Sequence, residues 1–80
     1  MARKIVTTQE LVAIINNELA KREECAGCRV NGIMALQQPD SDDCNWSEPI
    51  ISCGGVPASV CLPSANRVVA QVRTNFNLKP

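Results

Sequence analysis

Leu11, Val12, Ile14, Ile15 and Leu19 recur at helical spacing and cover one broad side of a helical wheel. Thr7 and Glu10 precede this run at the N-cap and N3 positions of a capping box. Val6 and Leu11 fall where a hydrophobic staple would close across the same turn. The pattern predicts a helix over 8–24. Gln9, Asn16, Asn17, Lys21 and Arg22 lie away from the centre of the apolar stripe, and Glu18 and Arg22 form an i,i+4 pair in the favourable order. Gly27 is a stop signal soon after the pattern fades.

The periodicity then changes. Val30, Gly32, Met34 and Leu36 alternate with Arg29, Asn31, Ile33 and Ala35, which predicts a strand over 29–36 with one apolar side. A second strand is expected over 46–53, centred on Ile50 and Ile51. Pro49 biases it toward an edge or a strand start, since proline cannot donate to a ladder. Between them, 37–43 reads as a polar loop, and the run from Gly54 to Pro57 has turn chemistry. Ala65, Val68, Val69, Val72 and Phe76 return to helical spacing. Pro63 suits the first turn of that last helix, a short helical turn over 58–61 is expected before it, and Arg73 complements its dipole.

Helix, strand, strand, helix is an α+β order. Neither helix can bury its stripe alone, and a two-stranded hairpin is marginal by itself. Two layers, αββα, with both helices packed on one antiparallel β-hairpin, answer both needs. Residues 3–6 are a candidate third, edge strand. No linker or repeat divides the 80 residues, so a single domain over 1–80 is expected.

Composition removes several function classes. Hydrophobic residues make up 45% of the chain, enough to expect a folded core. With no His, the Ser-His-Asp and Cys-His catalytic arrangements and a Cys2His2 zinc site are excluded. Eight Lys and Arg balance eight Asp and Glu, which does not favour a nucleic-acid or membrane binder. Trp46 and Phe76 are the only aromatics, too few for a base-stacking platform. The apolar run Leu11–Ile15 is far too short for a bilayer span, and the N-terminus shows no apolar leader segment. A cytosolic setting is the expectation, with thiols reduced.

Five cysteines carry the remaining chemistry: Cys25, Cys28, Cys44, Cys53 and Cys61. Cys25-Ala26-Gly27-Cys28 is a CxxC motif, but it follows a helix C-terminus and two glutamates. That inverts the conditions a reactive redox thiol needs. A structural zinc site tolerates such thiols, because coordination itself drives deprotonation. If the hairpin turns near Ser41 and Asp42, facing residue numbers sum to about 83, and Cys53 comes beside Val30 and Cys28. Cys61 folds back toward the same end after the Gly54-Gly55 turn. Cys25, Cys28, Cys53 and Cys61 then form a four-thiolate candidate set, and Cys44 is left over at the far end. A Cys25–Cys28 or Cys53-linked disulfide is a further alternative. The plain expectation is that these are small buried thiols with no metal or other cofactor.

Other signals are weaker. Asp40, Asp42 and Asp43 lie in the acidic loop, but Asn45 and Ile51 stand where an EF-hand counted from Asp40 needs Gly and Glu. Asp42 and Glu48 are available as paired carboxylates, with no burial signal to support that use. Arg67, Arg73 and Lys79 form a modest basic group without acids nearby in sequence. Gly54-Gly55 lacks the Lys-Ser/Thr pair of a phosphate-binding loop. Trp46 suits either the hairpin core or a partner-binding anchor. The reading taken is a non-catalytic binding or interaction module, with an unknown protein partner or a second copy of itself. A cysteine-ligated zinc domain is the alternative, ahead of a thiol redox protein or a nucleic-acid binder.

Overall fold

The Thr7 hydroxyl accepts the Glu10 N–H at 3.1 Å, and the Glu10 carboxylate accepts the Thr7 N–H at 3.1 Å, closing the expected capping box. From this start α1 runs Thr8–Ala20 and buries Leu11, Ile15 and Leu19. In the computed structural model, which describes residues 3–79 except Asp40, Asp42 and Glu48, α1 ends earlier than its sequence suggests. Arg22 is extended (φ −111°, ψ 129°), and a 3-10 turn, Glu23–Cys25, follows. That break removes Arg22 from the helix face. Glu18 instead pairs with Lys21 at 3.1 Å, an exposed contact of little energetic consequence.

The fold is mixed α+β, with two α-helices and two small two-stranded sheets among the described residues. The edge-strand candidate is present as β1, Lys4–Val6. It does not join the hairpin. It pairs in parallel with the chain's last strand, aligning Lys4 with Phe76 and Val6 with Leu78.

The hairpin is real but interrupted. Its regular strands are β2, Arg29–Val30, and β3, Ile51–Ser52. Arg29 faces Ser52, Val30 faces Ile51, and an isolated bridge joins Ala35 to Trp46, so each pair of numbers sums to 81. The shift of two from expectation preserves which side chains share a face. In this register Gly32 stands opposite Pro49. Proline has no N–H for a ladder and glycine has no side chain to pack, so the strands pair at both ends and part between them. The expected eight-residue alternation fails for that reason: Val30 is buried, but Met34 is 70% exposed.

α2, Ala58–Asn75, is one continuous helix rather than a turn and a shorter helix. Pro63 lies inside it and cannot donate to the Ser59 carbonyl, a defect that costs about 3 kcal/mol in an ordinary helix. The turn before Pro63 is held by its own bonds, Val60 and Cys61 both donating to the Pro57 carbonyl, and by a disulfide at Cys61. Ala65, Val68, Val69 and Val72 form the buried stripe as expected. Phe76 leaves the helix, because its backbone is extended (φ −137°, ψ 145°), and begins β4, Phe76–Leu78.

β4 is braced on its other side by the 43–46 segment. The Asn45 amide donates to the Leu78 carbonyl and accepts the Leu78 N–H, each at 2.8 Å. Asn77 Nδ2 donates to the carbonyl of Asp43, whose φ of +64° lies in the left-handed region that Asp tolerates. α1 meets the hairpin through a second amide clamp, with Asn16 bonded to both backbone groups of Val30.

Candidate functional site

Three segments converge on the sulfurs. Cys25 closes the 3-10 turn, and Cys25–Cys28 forms a type II β-turn. Ala26 has φ −59° and ψ 121°, Gly27 has φ +84°, and Cys28 N–H donates to the Cys25 carbonyl at 2.9 Å. Cys53 follows β3 and opens a second turn, with Gly54 at φ +59° and Val56 N–H donating to the Cys53 carbonyl. Cys61 sits in the first turn of α2. The two turns are pressed together: a Cβ on Gly54 would stand 3.0 Å from the Gly27 carbonyl oxygen.

Cys53 and Cys61 form a disulfide, with Cα atoms 6.6 Å apart. Of the pairings open from sequence, the Cys53-linked one is present. The plain-thiol expectation gives way at these two residues, while Cys25, Cys28 and Cys44 retain thiols. The Sγ atoms of Cys28, Cys53 and Cys61 all lie within 4.8 Å of one another. Cys25 Sγ is beside this group, donating to the Cys61 carbonyl at 3.6 Å, but is not one of the three. Burial pushes the Cys25 thiol up from its ordinary pKa, and the neighbouring Cys28 and Glu24 push it further. It is therefore a poor nucleophile, contrary to what a redox CxxC requires.

Cys44 is buried away from this cluster, its Sγ donating to the Trp46 carbonyl at 3.5 Å. Three of the four candidate residues, Cys28, Cys53 and Cys61, are thus gathered, Cys25 stands next to them through its bond to the Cys61 carbonyl, and Cys44 is elsewhere. The Ser64 hydroxyl donates to the Glu24 carboxylate at 2.6 Å and so ties the 3-10 turn to α2 beside the sulfurs. That bond holds the Glu24 carboxyl below its usual range.

Trp46 belongs to the core. It is fully buried, and its indole Nε1 donates to the Phe76 carbonyl at 3.0 Å. Arg73 lies over it, with Cζ 5.8 Å from the ring centroid and Nη2 donating to the Trp46 carbonyl. Arg73 is therefore turned into the structure and does not share a solvated cationic face with the exposed Arg67. The acidic-loop residues Asp40 and Asp42, and the Asp42–Glu48 pair, lie outside the described residues.

The apolar surface missed by sequence reasoning lies where the hairpin parts. Asn31 to Met34 and Ser47, Pro49, Ile50 and Ser52 line an open groove of about 650 Å³. Ile50 is 93% exposed beside it. Sequence periodicity points Met34 inward. The overlooked signal was Gly32 and Pro49 at positions that face each other once the register is known. Among the described residues, no helix is long and apolar enough to cross a membrane. No protein-family model matches the chain, and no match is found among curated proteins or solved structures.

Proposed function

We propose that the chain is a non-catalytic interaction module that works through the open middle of its hairpin, with a second copy of itself as the partner. The observation that carries this reading is the pairing of a projecting apolar side chain with an apolar recess. Ile50 and Met34 stand exposed on the rim of a groove that their own strands leave unfilled. Exposed apolar side chains gathered at a recess, rather than scattered singly, are the kind of surface a partner covers. A two-fold arrangement lets Ile50 of each copy enter the groove of the other, so one surface serves both sides. Zero formal net charge leaves no long-range repulsion to oppose that approach. A thin core gains from the added burial.

The two-layer αββα packing belongs to the same reading. It is supported by the Asn16 clamp from α1 onto Val30 and by the Cys53–Cys61 link from the hairpin to α2. A groove on the hairpin side then faces away from the helices. A cytosolic setting is retained as part of the proposal on the three thiols, with the Cys53–Cys61 disulfide read as one that a reducing compartment opens.

Light scattering on the eluting protein over a wide concentration range tests the proposal. The expected result is a shift from monomer to dimer mass with concentration, abolished by Ile50→Asp. A monomer at every concentration, or a dimer indifferent to Ile50→Asp, overturns it.

A further inference from the structure

We propose that Cys25, Cys28, Cys53 and Cys61 are the ligands of a structural zinc ion, taken up when the Cys53–Cys61 disulfide is reduced. Tetrahedral zinc–thiolate coordination at about 2.3 Å places sulfurs about 3.8 Å apart. The sulfurs of Cys28, Cys53 and Cys61 already lie within 4.8 Å of one another, and the Cys25 sulfur is held next to them by its bond to the Cys61 carbonyl at 3.6 Å. The four ligands come from three separate segments, so the ion would fasten the 3-10 turn, the end of the hairpin and the start of α2 at one point.

Two further observations favour a closed metal centre over a thiol–disulfide couple. Both sulfur-bearing turns use a glycine at positive φ, and Gly54 packs against the Gly27 carbonyl so closely that a side chain has no room. This is a backbone shaped to present sulfurs to a common point. Cys25 and Cys61 are fully buried and Cys28 nearly so, which suits a sealed structural site, while the half-buried Cys53 is where a small thiol reaches the disulfide.

The chemistry balances with a small thiol as reductant. Two equivalents of the reductant's thiol open the Cys53–Cys61 bond, leaving two cysteine thiols and one molecule of reductant disulfide. One Zn2+ then replaces the protons of four thiols, releasing four protons and leaving a centre of net charge −2.

Cobalt(II) and zinc(II) titrations of the full chain, kept in a small-thiol reductant, test this directly. The expected result is one cobalt per chain, with the ligand-field and thiolate charge-transfer bands of a tetrahedral four-sulfur site. Zinc then displaces the cobalt, and about four protons appear per metal bound. Cys25→Ser and Cys28→Ser should each weaken binding by more than the 10- to 100-fold typical of an outer hydrogen-bond partner. Cys44→Ser should leave both spectrum and stoichiometry unchanged. The proton count and cobalt spectrum of the unaltered chain decide the matter even if a variant fails to fold. Absence of cobalt uptake by the reduced chain overturns the proposal. So does a three-sulfur spectrum that Cys25→Ser leaves intact, or loss of binding in Cys44→Ser.

Discussion

The side-chain amide of Asn16 treats Val30 as a strand neighbour would. Its Oδ1 accepts the Val30 N–H at 2.9 Å and its Nδ2 donates to the Val30 carbonyl at 3.2 Å. A helix residue thereby completes the edge of β2 and fixes how α1 sits on the hairpin. Val30 itself is buried, so losing both bonds leaves two backbone groups without partners in a dry place. Asn16→Ala is expected to destabilise the fold by about 1–3 kcal/mol in urea titration. The neighbouring exposed Asn17→Ala should fall within about 0.5 kcal/mol of the parent. Equal effects at the two positions would mean the clamp contributes nothing.

Trp46 joins the hairpin to β4 and the end of α2 through one ring. Trp46→Ala should cost about 3–5 kcal/mol, the usual range for emptying a large buried aromatic site. Trp46→Phe keeps much of the packing but strands the Phe76 carbonyl, and should cost less than the alanine change. Denaturant midpoints followed by far-ultraviolet circular dichroism distinguish these outcomes without relying on indole fluorescence.

The meeting of the two turns makes a sharper demand. Gly54→Ala forces a side chain into a left-handed conformation, costing about 1–2 kcal/mol before the approach to Gly27 is counted. Gly55 has open space around its Cβ direction, and its φ is not positive. Gly55→Ala should therefore be the milder change in thermal unfolding. A reversed order would show that the turns do not meet as described.

Acid should act through two glutamates. Glu24 is held below the ordinary carboxylate value of 4.5 chiefly by the Ser64 hydroxyl, and Glu10 chiefly by the Thr7 backbone N–H, with its hydroxyl adding to the effect. A carboxyl whose folded pKa is depressed adds stability that is complete above its unfolded value. That stability is lost as pH falls through the folded value. The unfolding midpoint should be level above the carboxylate range and decline below 4.5. Ser64→Ala should remove part of that decline, and an unchanged profile would refute the assignment to Glu24.

How much of this was legible in the sequence depended on whether the cause was local. Thr7, Glu10, Val6 and Leu11 specify the start of α1 through contacts within one turn, and that start is as read. The stripe from Ala65 to Val72 is likewise a local period. The C-terminal strand was not legible, because Phe76 continues the helical spacing and becomes a strand only by pairing with β1. The break after Ala20 is tertiary too: it lets Cys25 reach α2. At the candidate site, the approach of Cys28, Cys53 and Cys61 was legible from the hairpin register, even with facing residues placed two positions off, while Cys25 stands beside the group rather than in it. The disulfide between two of them was only one option among several. The groove stayed hidden because Gly32 and Pro49 each look tolerable alone and disrupt pairing only when they face each other.

The central claim is that Ile50 of one copy occupies the parted hairpin of another. A mixed sample of isotope-labelled and unlabelled chains, examined by filtered nuclear Overhauser spectroscopy, tests it most directly. The account predicts intermolecular contacts from the Ile50 methyl groups to Met34 and Gly32. Ile50 methyl groups that show no intermolecular contact at concentrations where the mass is dimeric would contradict it.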